Sequence, residues 1–288
     1  MRYAILANPL SGKLTVEQKY RVLEEAAGFL HASIHGLDTR SAAEFGEQAR
    51  QLAQQYDVLV VAGGDGTFSQ MINTLDLNRI VLAYLPLGTG NAMGHALRYR
   101  GSLAHKAARI KQGPIREYDL VDCDGKMRAF MASVGFDGLL IRLRDGYLKQ
   151  GATGFIAYLK AGLKAYFRQY RPTRARLSID GETLQVENLL SLMVVKQPYF
   201  GFRINAVPEA RFDDRWLHTR WVCRGFLPTL YGLVTAVTLG NRAGQYRKAH
   251  HVDVRLGRPL ILQIDGNDAW EAEAFSFEVL PRVLKMKC

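Results

Sequence analysis

Val60-Val61-Ala62-Gly63-Gly64-Asp65-Gly66-Thr67 joins an apolar run to a turn of three glycines around one aspartate. Asp57 to Ala62 predicts a buried strand, and Phe68, Met71, Ile72 and Leu75 recur at the spacing of a helix that starts directly after the turn. A glycine-rich turn between strand and helix is where an α/β protein can hold phosphate. Glycines let the backbone approach the anion, and the N–H groups at the helix start face it. Asp65 adds a carboxylate, which makes sense beside phosphates when a divalent cation lies between them. A bare Gly-Gly-Asp-Gly also makes an ordinary structural turn, so the rest of the chain has to decide.

Working outward, two further turns share this setting. Asn8-Pro9-Leu10-Ser11-Gly12-Lys13 follows a predicted strand at Tyr3–Ala7, and Leu85-Pro86-Leu87-Gly88-Thr89-Gly90-Asn91 follows another at Ile80–Leu85. Val16, Tyr20, Leu23, Ala27 and Leu30 mark a helix behind a Thr15-x-x-Gln18 capping box. Ala42, Phe45, Ala49, Leu52 and Ala53 mark a second behind Ser41-x-x-Glu44. Such alternation of strand and helix predicts a parallel sheet covered by helices. Ligands of open parallel sheets lie outside the carboxyl ends of the strands. Three polar, glycine-bearing turns at one such edge can enclose a nucleotide.

After about Tyr118 short β-rich runs take over: Arg128–Val134, Arg174–Ile179, Leu189–Val195, Leu217–Val222, Val252–Leu256, Leu260–Ile264 and Phe275–Leu280. Asp-Gly pairs at 124–125, 180–181 and 265–266 predict hairpin turns. Helical insertions are expected at roughly 154–170 and 226–239. The chain therefore reads as α/β plus mainly β. A nucleotide domain is expected over 1–120, with a tail of about 280–288 returning to it, and a β-rich domain over 121–279.

A net charge of +11 favours an anionic partner, whether nucleotide, nucleic acid or acidic membrane surface. No nucleic-acid motif accompanies the charge, so none is expected as a partner. From Arg142 to Arg176 there are nine Lys or Arg against the single acid Asp145, a local surplus of +8. Within that segment Phe155, Leu159, Leu163, Tyr166 and Tyr170 form an apolar stripe, and Lys160, Lys164, Arg168 and Arg171 form a basic one. A basic amphipathic helix lies against anionic lipid or packs on its own domain with a solvated basic face. Cys123, Cys223 and Cys288 are odd in number and lack metal-ligand spacing, which suggests a reducing compartment. The first apolar run is too short for a signal peptide and reads as a strand. No run of about 18 apolar residues is present to span a membrane.

The series Asn8-Pro-x-Ser-Gly-Lys13, Thr39, Gly63-Gly-Asp-Gly-Thr67 and Pro86-Leu-Gly-Thr-Gly-Asn91 resembles the catalytic domain of the diacylglycerol kinase and sphingosine kinase family, in particular the small bacterial soluble lipid kinases. The likeness continues through Ala132–Phe136, Tyr158–Leu163, Pro208–Asp214 and Ile264-Asp-Gly266, and so covers nearly the whole chain. The Gly-Gly-Asp-Gly-Thr turn is shared with NAD kinases; Pro-Leu-Gly-Thr-Gly-Asn is the more discriminating motif.

The resemblance implies a phosphofructokinase-like nucleotide domain, a β-sandwich-like second domain, ATP and Mg²⁺ as cofactors and a lipid substrate. Matched by motif, Asn8, Ser11, Gly12, Lys13, Thr39, Gly63, Gly64, Asp65, Gly66, Thr67, Gly88, Thr89 and Asn91 would hold ATP, with Asp65 acting through Mg²⁺. Asp265 would accept the proton of the lipid hydroxyl, although Asp180 has the same local pattern. Asp214 by its side chain, and Arg211 and Trp216 by their carbonyls, would bind a structural Mg²⁺. The chain departs from the family pattern at Ala92 (usually Asp), Arg215 (usually Gly) and Asn267 (usually Glu). An amide at 267 cannot act as a carboxylate base; Asp268 would compensate there only with a different reach, and Asp119, at a strand start, is either a member of the acidic network that Ala92 leaves short or a simple surface carboxylate. The reading is an ATP- and Mg²⁺-dependent lipid kinase, with a diacylglycerol-like substrate by default, that is cytoplasmic and peripheral at the inner membrane face. An NAD kinase-like enzyme and a non-catalytic nucleotide- or lipid-binding regulator are the alternatives.

Overall fold

Residues Met1–Asp119 and Pro281–Cys288 form one compact unit and Leu120–Leu280 a second. The computed structural model describes residues 1–152 and 154–288; the side chain of Phe155, one member of the expected apolar stripe, lies outside the described residues.

The first unit begins with β1 (Tyr3–Ala7), buried at every position, and α1 (Val16–Leu30). Thr15 and Gln18 make the reciprocal capping box that satisfies two donors of the first turn of α1. β2 (Ser33–His35), α2 (Ala42–Gln55), β3 (Val58–Gly63), α3 (Asp65–Thr74), β4 (Val81–Pro86), α4 (Ala92–Ala96), α5 (Leu103–Gln112) and β5 (Ile115–Cys123) follow. Ser41 caps α2 through the N–H of Glu44. The strands lie in the order β4-β3-β1-β2, all parallel, with Ile5 opposite both Val60 and Ile34 and Val60 opposite Ala83. Burial on both faces explains why β1 and β3 read as unbroken apolar runs. The segment 281–288 lies against this sheet: Met286 pairs in parallel with Leu82, and Tyr118 Oη and Cys288 Sγ are 3.1 Å apart.

The second unit contains β6 (Met127–Ala129), β7 (Met131–Gly135), α6 (Phe136–Lys149), α7 (Gly154–Lys164), β8 (Thr173–Ile179), β9 (Glu182–Val195), β10 (Leu217–Cys223), α8 (Phe226–Thr238), β11 (Gln245–Ala249), β12 (His251–Ile264) and β13 (Asn267–Lys287), the last of which ends in the first unit. Its ladders are antiparallel. β9 and β12 each pair with β8 over one half and with β7 over the other, so the two long strands turn the corner of a sandwich. Val134, Leu177, Leu192, Val254, Leu262 and Phe277 are among the buried side chains that fill it. The Asp-Gly pairs at 124–125, 180–181 and 265–266 all have positive φ at both residues, the geometry of a two-residue hairpin turn.

Two expectations are corrected, and one helix is added. Val252–Leu256 and Leu260–Ile264 are one strand, β12, interrupted in register between Arg255 and Leu260, where Pro259 has no N–H to give the ladder. The helix expected to 170 stops at Lys164 and continues as a wider turn over Ala165–Gln169, closed by Tyr170 N–H to Ala165 O at 2.7 Å. The added helix is α6, over a segment with no helical expectation. At Gly138 the helix passes so close to β12 that a Cβ would lie 2.3 Å from Ile261 O.

Candidate functional site

The turns after β1, β3 and β4 leave the carboxyl ends of adjacent parallel strands, and the structure interlocks them. Gly63 O accepts the N–H groups of Leu87 (2.8 Å) and Gly88 (3.2 Å). Asn8 donates from Nδ2 to Thr67 Oγ1 (2.9 Å) and accepts Leu10 N–H on Oδ1 (2.8 Å). Gly12 has φ of 71°, and a Cβ there would lie 2.1 Å from Leu87 O. A Cβ on Gly88 would lie 2.5 Å from Gly64 Cα. Ser11 and Thr67 are buried; Gly64, Asp65 and Gly66 are half-buried, and Lys13 and Thr89 are exposed. Asn91, at φ 47°, donates from Nδ2 to Gly88 O (2.7 Å) and accepts Tyr84 Oη–H (3.2 Å). Thr39 lies beyond the carboxyl end of β2 and donates to Gly36 O (2.7 Å).

Asp65 opens α3, and its two oxygens accept the N–H groups of Ala92 and Met93, each at 2.9 Å. Its carboxylate thus caps α4 from outside, because Asn91 supplies no side-chain cap. Desolvation raises its pKa and the two N–H donors pull against that rise. Ala92, in the place of an acid, is buried beneath this contact. Asp119 is no surface carboxylate: it is fully buried and accepts the N–H of Arg282 (2.9 Å). Lys19, which periodicity alone would place on a solvated face, is buried; its Nζ donates to Pro9 O under the first turn, and desolvation lowers its pKa. Its signal in the sequence is slight, a lysine one helical turn (four positions) before the buried Leu23.

In the second unit the three Asp-Gly hairpins share one design. Asp265 Oδ1 accepts the N–H groups of Phe130 (3.1 Å) and Met131 (2.9 Å), Asp180 Oδ1 those of His250 (2.9 Å) and His251 (2.8 Å), and Asp124 Oδ1 that of Ser276 (2.6 Å). Burial separates them: Asp265 is 8% exposed, whereas the Asp180 side chain is 39% exposed. Asn267 is exposed, and Asp268 is held by Arg142 (Nε to Oδ2, 2.7 Å), which also reaches Glu271. Arg144, not singled out by the sequence, donates to Gly266 O (2.9 Å), Asp145 and Tyr158 beside the Asp265 turn. Asp137, also missed, accepts the hydroxyl of Ser191, and desolvation pushes its pKa up to about 6.

The residues expected to ligate a structural Mg²⁺ come together differently. Lys196 Nζ donates to Asp214 Oδ1 (2.8 Å) and to Trp216 O (2.6 Å); Lys248 Nζ is 3.1 Å from Asp214 Oδ2. Arg211 N–H donates to His218 Nε2 (3.2 Å), which lies 3.1 Å from Asp214. Asp214 is held well below the usual carboxylate range by Lys196, His218 and Lys248, against a desolvation that would raise it. Among the described residues no cluster of three or more His, Cys, Asp or Glu is placed to hold a metal.

With this geometry in place, relatives can be compared. Residues 2–123 match the diacylglycerol kinase catalytic domain, and residues 131–288 match the YegS C-terminal NAD kinase beta sandwich-like domain. The "Diacylglycerol kinase" of Staphylococcus saprophyticus is 30% identical over 278 residues, covering 92% of this chain and 88% of the relative. The chain belongs to the diacylglycerol kinase family. A second such kinase, from Staphylococcus aureus, is 28% identical over 92% of this chain and 85% of its own length. The crystal structure of a diacylglycerol kinase from Bacillus anthracis shares the fold at 18% identity (TM-score 0.73, covering 99% of this chain and 96% of that one). An NAD kinase from Archaeoglobus fulgidus, solved in complex with ATP, is more distant at 11% identity (TM-score 0.55, covering 100% and 94%). The α/β plus β-sandwich-like architecture expected from the sequence is therefore that of the family.

In this family member, α7 and the wider turn that continues it divide the expected stripe. Ala157, Ala161 and Ala165 face inward and are fully buried, whereas Ile156, Leu159, Leu163 and Phe167 are 50–61% exposed. The alanines recur every four residues and allow close packing, so the large side chains are left outside. Tyr170 is buried and donates to Leu189 O (2.8 Å). α8, without a single charge from Phe226 to Thr238, exposes Phe226, Leu227, Leu230, Tyr231, Leu233, Val234 and Val237. Of the basic surplus, Arg142, Arg144 and Arg174 are paired with acids; Lys160, Arg168 and Arg171 are exposed with no carboxylate partner among the described residues. No helix among the described residues is long and apolar enough to cross a membrane.

Proposed function

We propose that the chain is an ATP- and Mg²⁺-dependent kinase that transfers the γ-phosphoryl group to a hydroxyl of a membrane lipid, with a diacylglycerol-like acceptor as the default. The observation that carries the reading is the interlocking of the three glycine-bearing turns at the carboxyl ends of β1, β3 and β4. Positions 12 and 88 have no room for a Cβ, which suits a cradle shaped for close approach of phosphate to backbone.

Asn8, Ser11, Gly12, Lys13, Thr39, Gly63 to Thr67, Gly88, Thr89 and Asn91 hold the nucleotide in this reading. Lys13, exposed at the first turn, offers a cation to the phosphates. Asp65 fixes the Gly88–Asn91 turn through Ala92 and Met93. Each of its oxygens keeps a second lone pair, which suits a hydrated Mg²⁺. The metal would neutralise phosphate charge, and catalysis by the protein is then mostly positioning. Asp265 accepts the hydroxyl proton, from a carboxylate positioned by the N–H groups of Phe130 and Met131.

The exposed apolar side chains of α7 and α8, together with Lys160 in α7 and Arg168 and Arg171 after it, which have no carboxylate partner among the described residues, favour peripheral binding to an anionic bilayer at the inner membrane face. Incubation with labelled ATP, Mg²⁺ and a mixed lipid extract tests the reading: a labelled lipid is expected. ATP binding without any labelled lipid would leave a nucleotide-binding regulator, for which the amide at Asn267 is the motivating feature. NADP formation would establish the NAD kinase-like alternative.

A further inference from the structure

Membership of the family, with Asp214 in an Asp-Asp segment, raises the question of a structural divalent cation in the loop 211–216. The residues present do not fit one. A Mg²⁺ ion needs near-octahedral oxygen ligands at about 2.0–2.1 Å. Two of the three expected ligands, the Asp214 carboxylate and the Trp216 carbonyl, are already bridged by the ammonium of Lys196, at 2.8 and 2.6 Å. The Lys196 side chain is fully buried, so it does not swing out to make room at no cost. The other Asp214 oxygen carries Lys248 at 3.1 Å, and His218 lies at 3.1 Å from the same carboxylate. A divalent ion placed there would meet two ammonium groups around one carboxylate.

We infer that Lys196 is a built-in cation that replaces a divalent metal at this loop, so that the β-rich unit is closed without one. The chemistry is suited to the exchange. An ammonium supplies one positive charge and three donors, and it reaches the same carboxylate and carbonyl oxygens that a metal would draw together. A buried lysine charge is tolerable only when paired and hydrogen-bonded, and Lys196 is both. The backbone agrees: Arg215, between the two Lys196 acceptors, sits at φ 62°, and Trp216 N–H returns to Asp214 Oδ1 (3.3 Å). The loop is thus wrapped around the lysine. This inference concerns a site apart from the glycine turns and stands whether or not the chain is a lipid kinase.

The test is the thermal melt of the full chain without nucleotide, in EDTA and in excess Mg²⁺, with direct titration by Mn²⁺ followed by electron paramagnetic resonance. The expected midpoints agree within about 1 °C, and no tightly bound Mn²⁺ is seen. A rise of several degrees with Mg²⁺, lost on adding EDTA, overturns the inference, as does tight Mn²⁺ binding that Asp214→Asn removes. Lys196→Met keeps the length of the side chain but removes the ammonium, and leaves Asp214 facing Trp216 O. A midpoint lower by about 10 °C is expected. A variant that melts like the parent would show that the lysine does not hold the loop. Should Lys196→Met fail to fold, the comparison of the parent protein in EDTA and Mg²⁺ still decides.

Discussion

Gly88 and Gly64 approach so closely that a Cβ on Gly88 would lie 2.5 Å from the Gly64 Cα. Two turns that are 24 residues apart in sequence therefore form one surface, and side-chain bulk at either position separates them.

Gly88→Ala is expected to destabilise the first unit by about 1–3 kcal/mol through overpacking against backbone, and to abolish the stabilisation that ATP confers. Gly64→Ala, whose Cβ would meet Gly88 Cα at 3.3 Å, is expected to be milder. Thermal melts with and without ATP distinguish the two. Equal ATP-induced shifts in Gly88→Ala and the parent would refute the shared surface as the nucleotide cradle.

Asp65→Asn replaces one of two acceptor oxygens by an NH₂ group, which then faces the N–H of Ala92 or Met93. Loss of one charge-assisted bond and an opposed donor are expected to cost about 1–3 kcal/mol. Because the cap sets the Gly88–Asn91 turn, ATP affinity falls with it. Urea denaturation and ATP titration should both move; an unchanged ATP affinity would show that the cap matters for folding alone.

Asp265→Asn keeps a carbonyl oxygen for Phe130 and Met131 N–H, so the hairpin is retained while the base is lost. Phosphoryl transfer is expected to fall by about 10²–10⁴-fold, the usual contribution of a general base, with ATP binding unchanged. Asp180→Asn, at the more exposed hairpin of the same geometry, should leave turnover as it was. Retained activity in the first variant would shift the role to another carboxylate.

Asp137 gives the stability a pH signature. Its folded pKa is about 6 against an ordinary 3.8, so between these values the folded chain binds more protons than the unfolded one. Its contribution is therefore most favourable below 3.8 and is lost as pH rises through 6. Asp137→Asn is expected to flatten the stability profile over that window in denaturant titrations. A profile as steep as that of the parent would assign the slope to another group.

Leu227→Glu with Val237→Glu in α8, and Lys160→Glu in α7 with Arg168→Glu in the turn that continues it, change exposed side chains only. Each pair is expected to leave the melting midpoint nearly unchanged, since exposed substitutions stay within about 0.5 kcal/mol, while reducing co-sedimentation with vesicles containing anionic lipid. The α7 pair should also remove the salt dependence of binding. Vesicle binding that survives both pairs would remove these helices from the membrane-facing surface.

What the sequence determined by itself is the local chemistry. The glycine turns, the two side-chain caps at Thr15 and Ser41 and the three Asp-Gly hairpins are legible because each depends on residues within a few positions of one another. That β1, β3 and β4 run parallel followed from alternation of strand and helix; their order in the sheet did not. Only the tertiary structure decided which groups meet across long separations. Asp265 takes its N–H partners from 134 and 135 residues earlier, Asp65 caps a helix 27 residues on, and Lys196 reaches Asp214 from 18 residues away. The same limit explains α7: periodicity marks two faces of a helix, but the choice of the alanine face for the interior belongs to the surface it packs on. A lysine in place of a metal ion is likewise invisible in a motif, because the motif names ligands and the fold supplies the cation.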